Sequence, residues 1–188
     1  IYLAGVMPGP KSPSLDQVNH FLRPLVQELN VFWSRGVHYT RTACRPRGRL
    51  TKCAAFPLIC DLAAARKTSG QASHSSAMFC SFCQLLKPSI NNLDKASWPR
   101  RDCNAFRRCA EEWKAAPSER RREQLFKISG IRYSTLLDLP YWRPTRYVVI
   151  DTMHNLFLGL LQRHCRRIFG MDVTITSEDE SGADIEPD

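Results

Sequence analysis

Four short patterns in this chain could do chemistry. Two runs that read as strands end in an aspartate, Cys60-Asp61 and Ile150-Asp151. A side chain at a strand end leaves the core while its backbone stays rigid, so a carboxylate there can hold Mg2+, a hard ion that prefers oxygen ligands. Two such ions about 4 Å apart stabilise the attacking and leaving oxygens of an in-line phosphodiester displacement. An aspartate after a strand is also a common turn former and helix cap, and spacing alone favours that plainer role. The third pattern is Cys80-Ser-Phe-Cys83. Its spacing lets two thiolates face one tetrahedral Zn2+, but no second CxxC or HxxxH completes the site. His74, Cys60, Cys103, His154 and His164 are candidates for the missing pair. Two partly buried thiols are the plainer account. A zinc deaminase would need His-x-Glu upstream, and His74 is followed by two serines. The fourth pattern, Asp151-Thr-Met-His154, sets two metal-capable side chains three apart on one helix face. A capped first turn with a packed histidine would look the same.

The elements around these residues follow from periodicity. Ser14 and Gln17 form a capping box ahead of Leu15, Val18, Leu22, Leu25, Val26, Leu29 and Trp33 at helical spacing. Pro24 predicts a kink or a split in that helix, and Gly36 its end. Residues 37–52 read as a hairpin, or two short strands, around a basic turn. Residues 53–60 form a nearly continuous apolar run that reads as a buried strand, with Pro57 asking for a bulge or an edge. Residues 80–101 are loop-like. Helices are expected over 102–115, over Glu119–Ser129 behind Ser118, and as a short turn over 135–139 behind Ser134. Residues 146–150 carry the strongest strand signal. A helix over 153–169 should place Leu156, Leu160, Leu161, Cys165 and Ile168 inside.

The 188 residues suffice for one domain with a real core. Residues 1–171 hold all 27 basic side chains and 11 of the 18 acids, a net charge of +16. So basic a body points to a polyanionic partner, nucleic acid before an anionic membrane surface. Arg45, Arg47 and Arg49, the pair Arg66 and Lys67, and Arg100 and Arg101 beside Trp98 are the clusters expected to meet phosphates. Each alone could be an ordinary solvated face. No run approaches a membrane span, and eight irregularly spaced cysteines fit a reducing compartment. Residues 172–188 form an acidic tail that is expected to be disordered. The chain starts at Ile1 in mid-pattern and reads as a fragment; no secretion signal is expected.

Read in order, several stretches resemble one family. These are Val6-Met-Pro-Gly-Pro-Lys-Ser-Pro-Ser-Leu-Asp16, Leu58-Ile-Cys-Asp61 with Leu-Ala-Ala-Ala-Arg-Lys-Thr-Ser-Gly70, His74-Ser, and Phe79-Cys-Ser-Phe-Cys83. Asn91-Asn-Leu-Asp94, Ser97-Trp-Pro-Arg-Arg101 and the run from Leu139 through Asp151-Thr-Met-His154 to Gly159 follow. Together they resemble the CACTA-type (En/Spm-like) DNA transposases, closest to the Plavaka-like fungal group, over about residues 1–171. The resemblance implies an α/β fold: a partial ribonuclease-H-like core, its strands ending at Asp61 and Asp151, with a mostly helical, CxxC-containing insertion. The partial catalytic domain would span 1–171, with the helical insertion over 84–140 and the tail over 172–188. Asp61 would be the second acid of a triad holding two Mg2+ ions, the first acid lying before Ile1 and the closing glutamate beyond the helix ending near Phe169, with none of Glu178, Glu180 and Glu186 nominated for it. Cys80 and Cys83 would match the family's CxxC, and His154 its downstream histidine. The implied partners are DNA, as transposon ends and target, and further copies of the chain in the nucleus; no membrane is implied. A fragment with one acid of three would not transfer strands by itself. Two other readings stand beside this one, a domesticated remnant that binds DNA without cutting and a zinc-stabilised interaction module.

Overall fold

The computed structural model describes residues 3–7, 9 and 13–171. The chain divides into two units, Ile1–Val149 and Ile150–Asp188. In the first, Ser14 accepts the Gln17 N–H while Gln17 accepts the Ser14 N–H, and this box starts helix α1 (Leu15–Ser34). Val18 and Val26 are buried, with Leu22 and Leu29 packed against the core beside them. The expected split at Pro24 does not occur. Pro24 lies on the exposed face, and burial of an unbroken apolar stripe opposite it outweighs the missing N–H. At the helix end the Gly36 N–H reaches Val31 O, and Lys52 Nζ donates to Ser34 O at 2.6 Å, a cation on the negative end of the dipole.

Strands β1 (Val37–Tyr39) and β2 (Arg49–Thr51) form the expected antiparallel hairpin, with His38 opposite Leu50. Paired hydrogen bonds between Thr42 and Arg45 tighten its loop. Gly48 adopts φ +81° there, and a Cβ on it would sit 2.4 Å from Tyr39 O. Of the strand expected over 53–60, only β3 (Leu58–Cys60) forms. Pro57 has no N–H for a ladder, so pairing begins one residue later, where the Leu58 N–H bonds Tyr147 O at 2.7 Å. The strand is half-exposed rather than buried; Ile59 is 59% exposed. It pairs with β4 (Val148–Ile150), so the described residues hold a mixed α/β fold with two small two-stranded sheets, neither closed.

Helix α2 (Leu62–Ser69) begins at Asp61 and ends at Gly70 (φ +79°), whose carbonyl takes the Arg132 N–H at 2.7 Å. A Cβ at Gly70 would lie 2.3 Å from Arg132 O, so only glycine allows this approach. Helices α3 (Cys103–Ala115) and α4 (Glu119–Ser129) start on Asp102 and Ser118 as expected and pack together. A 3-10 turn, Thr135–Asp138, docks on α1 through Asn19, which donates to Tyr133 O and accepts the Thr135 N–H at 2.8 Å. Residues 80–101 are largely irregular, with two 3-10 turns. Val26, Ala65, Phe106, Ala110, Leu139 and Trp142 anchor one core under these elements.

The second unit corrects the expected α-helix over 153–169. Met153–Leu161 and His164–Ile168 are π-helical, and the Phe169 N–H reaches back five residues to His164 O. The wider turn carries side chains off the 3.6-residue stripe. Leu156, Leu160, Leu161 and Ile168, expected inside, are exposed, and Cys165 is half-buried. The acidic tail, 172–188, lies outside the described residues.

Candidate nucleic-acid interface

Asp61 follows β3 directly and caps α2: its Oδ1 accepts the Ala64 N–H at 2.8 Å. The carboxylate is exposed, and Oδ2 has no hydrogen-bond partner among the described residues. The plain capping role is therefore met by one oxygen, leaving the other open to a ligand. The far turn of the same helix carries Arg66 and Lys67, basic side chains at the negative end of its dipole.

Those two line a hollow of about 340 Å3 with Gln71, His74, Phe126 and Arg132. No carboxylate lines it among the described residues. Arg66 is only 8% exposed; its Nε donates to Ser81 Oγ at 3.2 Å. Burial lowers its pKa, against an opposing pull from Cys80. Arg132 lies over the Phe126 ring and donates to Gln71 O. Burial pushes its pKa down to about 10, partly offset by the more distant Asp16. Neither guanidinium makes an ion pair among the described residues. Gln71, 4% exposed, has neither carboxamide atom hydrogen-bonded among the described residues. Desolvated cations and an orphaned amide are costly, and an anion would offset part of that cost.

Arg45, Arg47 and Arg49 are exposed on the hairpin, and their side chains make no hydrogen bond or ion pair among the described residues. Arg100 is exposed, and its backbone pairs with Cys83 in an isolated bridge. Arg101 is committed elsewhere. Its Nε donates to the carbonyls of Cys80 and Cys83, both at 2.9 Å, so it clamps the CxxC turn. Burial lowers its pKa, opposed by the neighbouring cysteines.

Within the CxxC turn, the N–H groups of Phe82 and Cys83 both point at Cys80 Sγ, at 3.4 and 3.3 Å. Burial pushes the Cys80 thiol up, but these N–H groups, the Cys83 thiol and the Arg101 charge outweigh it and bring its pKa below the ordinary value. Burial, with the neighbouring Cys80, raises Cys83 despite the Leu85 N–H. The turn is built to stabilise one thiolate. A tetrahedral zinc site would need a second thiolate and two further ligands; among the described residues no group of three or more His, Cys, Asp or Glu side chains converges.

In the second unit Asp151 caps the first turn, accepting the Met153 N–H at 2.9 Å, and pairs with His154 Nδ1. The His154 contact chiefly holds the Asp151 carboxyl below its ordinary pKa. The expected shared face is therefore real, and it is used internally.

Sequence reasoning missed Arg132 and Gln71. Their signal is indirect: Gly70 and Gly130 end two helices at positive φ, and the residues just beyond, Gln71 and Ile131, bridge the two segments. The chain matches no protein-family model, no curated protein and no solved structure.

Proposed function

We propose that this chain is part of the catalytic region of a cut-and-paste DNA transposase of the CACTA type. In this reading a ribonuclease-H-like core acts in the nucleus on transposon ends and target DNA, and copies of the chain assemble on them. The observation that carries it is the arrangement on α2. An exposed carboxylate with one oxygen open among the described residues heads the helix, and Arg66 and Lys67 at its other end line a basic hollow that no described carboxylate enters. Asp61 would hold Mg2+, which supplies charge stabilisation at a phosphodiester. The chain's own task would be to grip DNA phosphates through Arg45, Arg47, Arg49 and Arg100, and through the hollow. Cys80 and Cys83 would supply two thiolates to Zn2+; Asp151 and His154, in the second unit, are a separate metal-capable pair.

The test is Asp61→Asn in the chain extended over its full reading frame. Asparagine keeps the helix cap and removes the charge, so folding is preserved while a cation loses its ligand. Mg2+-dependent nicking of supercoiled DNA should then be lost, and undiminished nicking would overturn the assignment. A second reading, DNA binding without cleavage, is favoured because no group of three or more metal-capable side chains converges among the described residues. It predicts intact binding and no nicking in either protein.

A further inference from the structure

Beside the start of α3 a second hollow, of about 650 Å3, is lined by rings and guanidiniums together. We propose that this hollow seats an unpaired nucleotide of a single-stranded nucleic acid, its base on the aromatic rings and its phosphate on Arg143 and Arg146. The proposal shares with the function above only the premise that a nucleic acid is the partner. It uses none of Asp61, the hairpin arginines or the α2 hollow.

Three separate segments bring the rings together. Trp33 comes from the last turn of α1, Phe56 from the approach to β3, and Tyr141, Trp142 and Tyr147 from the proline-bracketed run into β4. Trp33 lies 4.6 Å from Tyr141 between ring centroids, and Phe56 lies 5.6 Å from Tyr141 and 5.3 Å from Tyr147. Trp142 is 4% exposed and meets Tyr147 edge-on at 5.6 Å, fixing the floor. Trp33 and Phe56 stay 42% and 43% exposed. Two large rings held by neighbours yet open to solvent are what a stacking base requires, and every base has a face to offer.

The charges divide by task. Arg107 is spent on structure, donating to the carbonyls of Leu137, Leu139 and Trp142, and so it fixes the turn that carries the rings. Arg101 clamps the CxxC carbonyls. Arg143 and Arg146 are exposed and their side chains bond nothing among the described residues. The one carboxylate of the lining among the described residues, Asp102, accepts the Ala105 N–H as the α3 cap. Cys103 Sγ and Thr145 Oγ1, 2.7 Å apart, tie the wall together. The site is therefore preformed, net positive and of the volume usual for small-ligand pockets. An acidic peptide would satisfy the cations and leave the rings unused; a nucleotide uses both.

The test is fluorescence anisotropy of the full chain with labelled oligothymidylate and oligouridylate of about 12 residues and a duplex of equal length. Trp33→Ala should weaken single-strand binding about ten-fold, Phe56→Ala likewise, while duplex affinity stays unchanged. Arg143→Gln with Arg146→Gln should lower the single-strand salt slope by about 0.7, the value for the one phosphate they share. The two labelled strands show whether DNA or RNA is the source. Unaltered single-strand affinity in Trp33→Ala and Phe56→Ala would overturn the proposal, as would displacement of the strand by polyglutamate as effective as by unlabelled strand. If duplex binding is absent while single-strand binding depends on Trp33, the function above fails and this site stands.

Discussion

Tyr133 shows how a single group in this fold reports its surroundings. Its hydroxyl donates to Asp138 Oδ1 beside α1. Burial first, then that bond and the charges of Asp138 and Glu111, push its pKa well above the ordinary phenol value, against Arg23. A phenol held neutral in the folded state and free in the unfolded one contributes stability that is complete below about pH 10 and lost as pH rises past it. In a tyrosinate absorbance titration Tyr133 should be among the last phenols to ionise, and Tyr133→Phe should remove that late phase; an unchanged curve would place the hydroxyl elsewhere. Asp61 and Cys80 were both legible in the sequence, because a strand-to-cap aspartate and a CxxC turn are local patterns. The engagement of Arg66 and Arg101 was not. Each looks like a surface base in one dimension, and its burial depends on Ser81 and on two carbonyls reached only through the fold.

Among the elements, the caps were the most legible. Ser14, Ser118 and Ser134 all accept the N–H groups their spacing promised, since a cap depends on four adjacent residues and little else. Where tertiary packing competes with local rules, the sequence misleads. Pro24 did not break α1, and the leucines beyond Asp151 did not form a buried stripe, because the backbone there widened into π geometry. The cost at Pro24 is still present in the folded state. Pro24→Ala restores an N–H on an exposed helix face and should raise stability by about 1–3 kcal/mol in urea unfolding. A loss of stability would mean that the helix is shaped by the ring rather than in spite of it.

At the scale of the molecule, charge is the dominant feature, with every basic residue of the chain ahead of position 172. No described helix is long and apolar enough to cross a membrane. The described part of the first unit has one core, yet its small sheets and shallow burial around β3 leave much of the surface to arginines and half-exposed rings. On the proposed reading such a surface would bind a polyanion by releasing its counterions, with an affinity that falls steeply with salt. The most direct measurement is the slope of log affinity against log salt for duplex DNA, in the chain and in a variant with Arg45, Arg47 and Arg49 all changed to Gln. A DNA-handling protein predicts a negative slope that shrinks by about 2–3 in the variant, at roughly 0.9 for each phosphate no longer neutralised. Binding that is absent, indifferent to salt, or unchanged by removing those three arginines would contradict it.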